Sequence, residues 1–258
     1  MVKFILFVLA LVAVTQGRVV NNLTSRIVNG TSAKLGELPF QASLQRGGRA
    51  YCGGSVINEY YVVTAAHCLA RKQASSLTVI VGTINWQKPG YVHQVEKIIV
   101  HSKFTSKGSF ENDIGLVEVK TPFQFSFILQ PVLLPTLDEE VATNSIAIVS
   151  GWGRLGGKVL KQPDNLQKAE IFIIEPESCQ SVMTEIIHPT QLCANDPTAR
   201  RGQCSGDSGG PLSIDGKLVG IVSWSIKDPY CASTTYPGIY TRVSKYVDWI
   251  NENAVHPD

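Results

Sequence analysis

Short runs of apolar residues, each bounded by Gly, Pro, Asn or Ser, recur along most of the chain. They are rich in Val, Ile, Leu and Tyr, and each is about as long as one β-strand. Many short strands at this spacing indicate an all-β sandwich or barrel. The runs that carry this prediction are residues 61–64, 77–82, 95–100, 114–119, 146–151, 169–174 and 218–224.

Long helical periodicity is found only near the C-terminus, where four apolar residues fall at positions i, i+3, i+4 and i+7. Polar residues occupy the other side of this segment. Such a stripe most often packs a terminal helix onto a domain, so we assign it no catalytic role. The four apolar residues are Val243, Tyr246, Val247 and Ile250.

Length and composition limit the class of protein. Of the 258 residues, 44% are hydrophobic and 17% are charged, so the chain forms a core and is not disordered. Three prolines predict a boundary between two halves at about 122–135. The 23 basic and 21 acidic residues give a net charge of only +2, too small an excess for binding along a nucleic acid backbone.

Residues 1–17 have the pattern of a secretory signal peptide. Lys3 is followed by an unbroken apolar run over 4–14 and then by small residues before a cleavage point. A membrane anchor is the alternative, but it needs about 20 apolar residues and this run is much shorter. We therefore expect a secreted, extracellular protein that does not enter a membrane.

The chain contains six cysteines, and an even number in a secreted protein favours disulfides over metal ligation. It has no Cys-x-x-Cys and no His-x-x-x-His pair, so a structural zinc site has little support. Spacing alone cannot choose between the fifteen pairings that six cysteines allow.

Three short motifs contain the residue types of nucleophilic catalysis. Each has an ordinary interpretation when it stands alone, because a serine in a glycine-rich loop is usually a turn and a histidine beside a cysteine usually lies in a core. Taken together they are far more specific. They are Thr-Ala-Ala-His-Cys at 64–68, Asn-Asp-Ile-Gly-Leu at 112–116 and Gly-Asp-Ser-Gly-Gly-Pro at 206–211.

The three motifs supply a nucleophile, a base and an anion. A serine hydroxyl attacks poorly at neutral pH until a base removes its proton, and an imidazole, with an ordinary pKa of about 6.5, suits that task. We assign Ser208 as the nucleophile and His67 as its base, with Asp113 orienting the imidazole. Glycines beside Ser208 let the N–H groups of Gly206 and Ser208 turn inward as an oxyanion hole.

With these motifs in this order, the chain resembles the chymotrypsin-like family of serine endopeptidases. The resemblance implies two six-stranded antiparallel β-barrels with a C-terminal helix, the active site between the barrels, and one peptidase domain at 27–258. It also implies the disulfide pairs Cys52–Cys68, Cys179–Cys193 and Cys204–Cys231. The further segments that carry it are Arg-Ile-Val-Asn-Gly at 26–30, Cys-Gly-Gly-Ser at 52–55, Gly-Trp-Gly at 151–153 and Ser-Trp at 223–224.

Residues 18–26 resemble an activation peptide that is removed by cleavage after Arg26. The alternative is a linker of no consequence. Against this alternative, cleavage would create an ammonium at Ile27, and Asp207 beside the nucleophile has no other obvious task. In the family this pair orders the oxyanion loop and the substrate pocket, and removing one member of a buried pair is costly.

The resemblance also locates the pocket for the side chain before the cleaved bond. Trypsin-like members have an aspartate where this chain has Gly202, so burying a cation there is unfavourable. Gly238 leaves space, Ser225 narrows the wall, and Gln203 adds a polar group. We expect an uncharged residue, with large apolar side chains (Phe, Tyr, Leu or Met) as the leading prediction and small ones, as in elastase-like members, as the second.

A third alternative for the residue before the cleaved bond is an acidic one, attracted by the basic residues at 200 and 201. It is less favoured because basic residues in such a loop are usually solvated.

The same resemblance implies how other molecules bind. Substrate backbone is expected to pair with Ser223, Trp224 and Ser225 as an added strand. A separate trypsin-like protease would activate the chain, because the activation bond follows an arginine. Protein inhibitors of proteases are further partners, and we expect a monomer with a digestive role.

Asn22 and Asn29 each begin an N-glycosylation pattern, the first within the activation peptide. No cofactor and no metal are predicted, since residues 79–95 contain no acidic side chain for a calcium loop. The competing class of function is a secreted binding protein with the same fold and no chemistry. Such a protein usually lacks a triad residue or a glycine of the oxyanion loop, and none is missing here.

Overall fold

The computed structural model describes residues 27–88, 90–156, 162–227 and 230–256. The predicted signal peptide at 1–17 and activation peptide at 18–26, with Asn22 and Arg26, lie outside the described residues. The described ranges form two antiparallel β-barrels and a short C-terminal helix, so the predicted fold class is confirmed.

The first barrel closes through pairing of its first and fourth strands. After a two-residue strand β1 (Thr31–Ser32), it consists of β2 (Gln41–Arg46), β3 (Arg49–Val56), β4 (Tyr61–Thr64), β5 (Leu77–Val81), β6 (Tyr91–Val100) and β7 (Gly115–Val119). The strands follow the order β2-β3-β4-β7-β6-β5 around the ring. Leu44, Val79 and Leu116 are among the fully buried side chains that fill its interior.

The second barrel consists of β8 (Ile146–Gly151), β9 (Gln167–Ile174), β10 (Gln191–Asn195), β11 (Pro211–Ile214), β12 (Lys217–Trp224) and β13 (Gly238–Arg242). Neighbouring strands follow the order β9-β10-β13-β12-β11-β8, and pairing of β8 with β9 closes the ring. Strand β1 is added to β9. The connection between the barrels, from Val119 to Ile146, contains the predicted boundary at about 122–135.

The helices are short. They are α1 (Ala66–Leu69), α2 (Pro176–Val182) and α3 (Val247–Asn253), with 3-10 turns at Ala74–Ser76 and Val243–Tyr246. The predicted C-terminal helix therefore begins as a 3-10 turn, and its α-helical part has only seven residues. Its buried side chains, Val243, Tyr246 and Ile250, pack into the core of the first barrel. This contact ties the end of the second half back onto the first.

All six cysteines are paired, as Cys52–Cys68, Cys179–Cys193 and Cys204–Cys231. This is the pairing that the family resemblance implies. The first disulfide joins β3 to α1, the helix that contains His67. It therefore fixes the position of the predicted base relative to the first barrel.

Replacing Cys52 and Cys68 by alanine should lower both stability and turnover. Opening a loop of this size costs about 2–5 kcal/mol of unfolding free energy, and freeing α1 should lower kcat by roughly 10- to 100-fold through misplacement of His67. Urea unfolding and kcat measure the two effects. The matched control is Cys179→Ala with Cys193→Ala, which opens a loop of similar length, with a sequence separation of 14 against 16. An equal loss of kcat in the control would contradict the positioning role.

Candidate active site

Asp113 lies just before β7 and is buried, with 1% of its surface exposed. Its Oδ1 accepts a hydrogen bond of 2.8 Å from the backbone N–H of His67. Its Oδ2 lies 2.7 Å from His67 Nδ1 and accepts a hydrogen bond of 2.6 Å from Ser223 Oγ. Thr241 Oγ1 also donates to the Asp113 carbonyl at 2.7 Å. These donors hold the carboxylate in one orientation.

His67 lies in α1, directly after β4, and its ring is partly open to solvent. A carboxylate can only accept hydrogen bonds, so Asp113 selects the tautomer in which Nδ1 of His67 carries the hydrogen. Nε2 then keeps its lone pair and faces away from the carboxylate. The imidazole is therefore prepared to accept a proton at Nε2, as a general base must.

Ser208 belongs to the second half of the chain but packs against the first barrel. Its carbonyl accepts a hydrogen bond of 2.8 Å from Gly53 N in β3 and lies 3.6 Å from Cys68 Sγ. The same sulfur lies 3.8 Å from His67 Nε2. The structure therefore brings the predicted nucleophile and base to the same disulfide, between the two barrels.

The loop around Ser208 presents two backbone donors. The N–H groups of Asp207, Gly209 and Gly210 bond to carbonyls of the protein. Those of Gly206 and Ser208 have no acceptor among the residues that the structure describes. Gly206 has φ +100°, a backbone conformation that a side chain would disfavour. These are the two donors predicted for the oxyanion hole.

Asp207 is fully buried directly beside the nucleophile. Its carboxylate accepts hydrogen bonds from Gly153 N at 2.7 Å and from Cys204 N at 2.9 Å. Burial raises the pKa of Asp207 to about 7, and the two backbone donors offset this only in part. No basic side chain within the described ranges forms a salt bridge with it. A buried carboxyl in this state can take a cationic partner.

The segment after the predicted cleavage point is already docked on the second barrel. The Ile27 side chain is completely buried in the core of that barrel. The Val28 carbonyl accepts a hydrogen bond of 3.3 Å from Gly202 N. The position of Arg26 lies outside the described residues.

The four residues predicted for the specificity pocket line one narrow cavity, which in the uncleaved chain has a volume of about 10 Å³, room for about one water molecule. They are Gly202, Gln203, Ser225 and Gly238. The same cavity is also lined by Asn195, Arg201 and Tyr240, which sequence analysis did not select. Asn195 and Tyr240 belong to strands β10 and β13, and a polar group within a buried strand was the only sequence signal for them.

The backbone after Val222 is open on one side. Strand β11 pairs with β12 only as far as Ile221, while Trp224 pairs with Ile239 of β13 on the other side. An extended peptide can therefore be added beside Ser223 to Ser225, where the substrate backbone is predicted to bind. Ser223 also has a second role, which its sequence does not reveal. Its hydroxyl donates a hydrogen bond to Asp113 Oδ2.

Two further groups bear on the predicted sites. Asn29, the second glycosylation position, is exposed, and its side-chain amide donates to the Arg200 carbonyl at 2.7 Å. Within the described ranges, the His, Cys, Asp and Glu side chains close enough to share a metal ion are Cys52, His67 and Cys68. The disulfide uses both sulfurs, so this group cannot act as a thiolate site.

Comparison with known proteins decides the family. A family model described as Trypsin matches residues 27–250. The chain belongs to the trypsin family of serine proteases. A trypsin from Phaedon cochleariae is 36% identical over 98% of this chain and 99% of its own length, and hypodermin-B from Hypoderma lineatum is 35% identical with the same coverage. The structure of mouse neuropsin, a serine protease, has a TM-score of 0.80, 30% identity and coverage of 88% of this chain and 99% of that chain.

Membership of the trypsin family makes the protein a serine endopeptidase, a hydrolase that acts on protein substrates. The family match begins at Ile27, the residue predicted to follow the activation cleavage. In the part of the chain that the structure describes, every helix is too short or too polar to cross a membrane.

Proposed function

We propose that this trypsin-family endopeptidase is secreted as a zymogen, is activated by cleavage after Arg26, and hydrolyses peptide bonds through an acyl-enzyme on Ser208. The observation that carries the proposal is the buried Asp113 carboxylate bonded to His67, with Ser208 and two unbonded backbone donors at the same crevice. No metal or cofactor takes part in the proposed reaction.

In the proposed mechanism His67 Nε2 removes the proton from Ser208 as the hydroxyl oxygen attacks the substrate carbonyl. The N–H groups of Gly206 and Ser208 stabilise the negative oxygen that forms. Asp113 stabilises the imidazolium, which then returns the proton to the leaving amine. Water attacks the acyl-enzyme by the same route and frees Ser208.

Activation is proposed to use the buried carboxyl of Asp207. Cleavage after Arg26 frees the α-amine of Ile27, whose side chain already lies in the second barrel. An ammonium that reaches Asp207 would form a buried ion pair beside the nucleophile. Because Asp207 directly precedes Ser208, this pair would fix the loop that carries the oxyanion donors.

The pocket supports a preference for uncharged side chains before the cleaved bond. Gly202 supplies no carboxylate for a cation, and the cationic Arg201 lines the same cavity. Among uncharged residues, the sequence favours large apolar side chains first and small ones second. In either case the chain would not process its own Arg26 bond efficiently, so a separate trypsin-like protease is proposed as activator.

The signal pattern at 1–17 supports secretion, and a digestive role is proposed by analogy with the family. We further propose that the enzyme acts as a monomer and that protein protease inhibitors bind its active site.

A serine-directed phosphonate tests the proposed function. We expect strong labelling of Ser208 after the purified chain is cut at Arg26 with trypsin, and little labelling before the cut. After trypsin is removed, intact-mass spectrometry locates the adduct, and Ser208→Ala serves as the control that folds without a nucleophile. A cleaved chain whose Ser208 stays unlabelled would favour an inert binding protein instead.

A further inference from the structure

Several residues that line the specificity cavity have a buried polar atom without a hydrogen-bond partner in the described part of the chain. Such atoms are rare in folded proteins, and leaving one unpaired costs free energy. Asn195, Gln203 and Tyr240 are each at least nine-tenths buried. The unpartnered atoms are Gln203 Oε1, Asn195 Oδ1, Tyr240 Oη and Arg201 Nε.

Hydrogen bonds fix which end of each amide lacks a partner. Gln203 Nε2 donates to the Trp224 carbonyl at 3.3 Å, which leaves Oε1 as the unbonded end. Asn195 Nδ2 donates to the carbonyls of Ser233 and Thr234 at 3.3 and 3.1 Å, which leaves Oδ1. Among its lining residues the cavity therefore has two amide oxygens that require a hydrogen-bond donor.

The position of Gln203 depends on the glycine opposite. A Cβ added to Gly238 would lie 2.5 Å from Gln203 Nε2 and 2.7 Å from Oε1. The whole amide of Gln203 therefore packs directly against the backbone at Gly238. In the uncleaved chain, the amide thus occupies the space beside Gly238 that was expected to be open to a substrate side chain.

The charges around the cavity disfavour an ionic side chain. Arg201 Nη1 lies 3.7 Å from Oδ2 of the buried Asp196, so the guanidinium already has a counter-charge. Burial works to raise the pKa of Asp196, but hydrogen bonds from Thr198 and Ala199 and the charge of Arg201 together lower it, which keeps Asp196 ionised. A carboxylate would face two amide oxygens, and a cation would face Arg201 without a carboxylate of its own.

The hydroxyl of Tyr240 completes the set. Burial, and next the charge of Asp207, raise the pKa of Tyr240 well above its ordinary range, so the hydroxyl keeps its proton. It can donate to or accept from a ligand. Arg201 Nε donates only. The residues around the cavity thus offer both acceptors and donors to a neutral group.

We propose that this pocket, once cleavage after Arg26 widens it, selects a neutral side-chain amide, that of glutamine or asparagine, as the residue before the cleaved bond. The inference rests on the proposed function, and within its preference for uncharged residues it replaces apolar side chains by amides. The NH₂ group of the substrate amide donates to Gln203 Oε1 and Asn195 Oδ1, and its carbonyl accepts from Tyr240 Oη or Arg201 Nε. An apolar side chain of equal size would bury these atoms unpaired.

Peptide substrates that differ only at this residue test the inference. Gln is compared with Met and Glu, which have nearly the same size, and Asn is compared with Leu and Asp. For the Arg26-cleaved enzyme we expect kcat/KM to be about 10- to 100-fold higher for the better amide than for its two counterparts. Gln203→Met should remove this preference, and Gln130→Met, at an exposed glutamine on the connection between the barrels, should keep it.

Titration of the active serine separates the two possible failures. If Ser208 is titratable and Met, Leu or Phe substrates are cleaved faster than both amides, the amide inference is wrong and the protease assignment stands. If the cleaved chain has no titratable serine and cuts none of the peptides, the proposed function fails and the inference fails with it. The comparison among substrates needs only the natural chain, so it holds even if Gln203→Met does not fold.

Discussion

Replacing Asp113 by asparagine should lower kcat by about four orders of magnitude, the loss that this change causes in a chymotrypsin-like triad. The carboxylate accepts from His67 N, His67 Nδ1 and Ser223 Oγ, so both of its oxygens are in use. An asparagine must turn its NH₂ group toward one of these donors. The imidazole then takes the tautomer with its proton at Nε2, where it cannot act as a base.

The measurement is kcat of the Arg26-cleaved enzyme, normalised to intact folded protein by circular dichroism. Asp248→Asn is the matched control, because Asp248 is exposed on α3 and should leave kcat unchanged. A decrease of less than tenfold for Asp113→Asn would remove the carboxylate from the mechanism.

Replacing Asp207 by asparagine should lower the activity of the cleaved chain by roughly 10²- to 10³-fold. Losing one partner of a buried ion pair costs about 3–5 kcal/mol, and this energy is proposed to hold the oxyanion loop in place. The measurement is kcat/KM after complete cleavage at Arg26, verified by N-terminal sequencing of the new Ile27 end. Asp248→Asn again serves as control. A variant that keeps more than a tenth of the activity would contradict the activation proposal.

The same carboxyl gives the uncleaved chain a pH signature. The pKa of Asp207 rises from an ordinary 3.8 to about 7 on folding, so between these values the folded chain binds more protons than the unfolded chain. Its contribution to stability is complete below pH 3.8 and is lost as pH rises toward 7, by roughly 4 kcal/mol. Urea unfolding of uncleaved chain from pH 4 to 7.5 measures this slope, and Asp207→Asn should flatten it.

The fold was predictable where strands follow the apolar pattern. The runs at 61–64 and 146–151 coincide with β4 and β8. Strand β2 was not identified, because its buried positions include Gln41, Ser43 and Gln45. Gln41 is tolerated inside because its Oε1 accepts a hydrogen bond of 2.6 Å from Ser150 in the other barrel. Because Ser150 is 109 residues away in the sequence, the local pattern of apolar and polar residues cannot reveal this hydrogen bond.

The candidate site also has one part that the sequence predicts and another that it does not. The motifs around His67, Asp113 and Ser208 are local, so the sequence predicts the residues that the structure brings together. The bond from Ser223 to Asp113 and the polar atoms of Asn195 and Tyr240 depend on how distant strands pack. Their chemistry is set by burial and by missing partners, which only three-dimensional placement reveals.

The hydrogen bond from Gly202 N to the Val28 carbonyl connects the specificity cavity to the segment that follows the cleavage point. Because coupling free energies between two sites are reciprocal, anything that favours the ordered pocket also favours docking of the neo-N-terminal segment. Ligand binding in the specificity cavity and docking of this segment are then coupled through one conformational equilibrium. An inhibitor that fits the pocket tightly would act as an allosteric effector and draw uncleaved molecules toward the mature conformation.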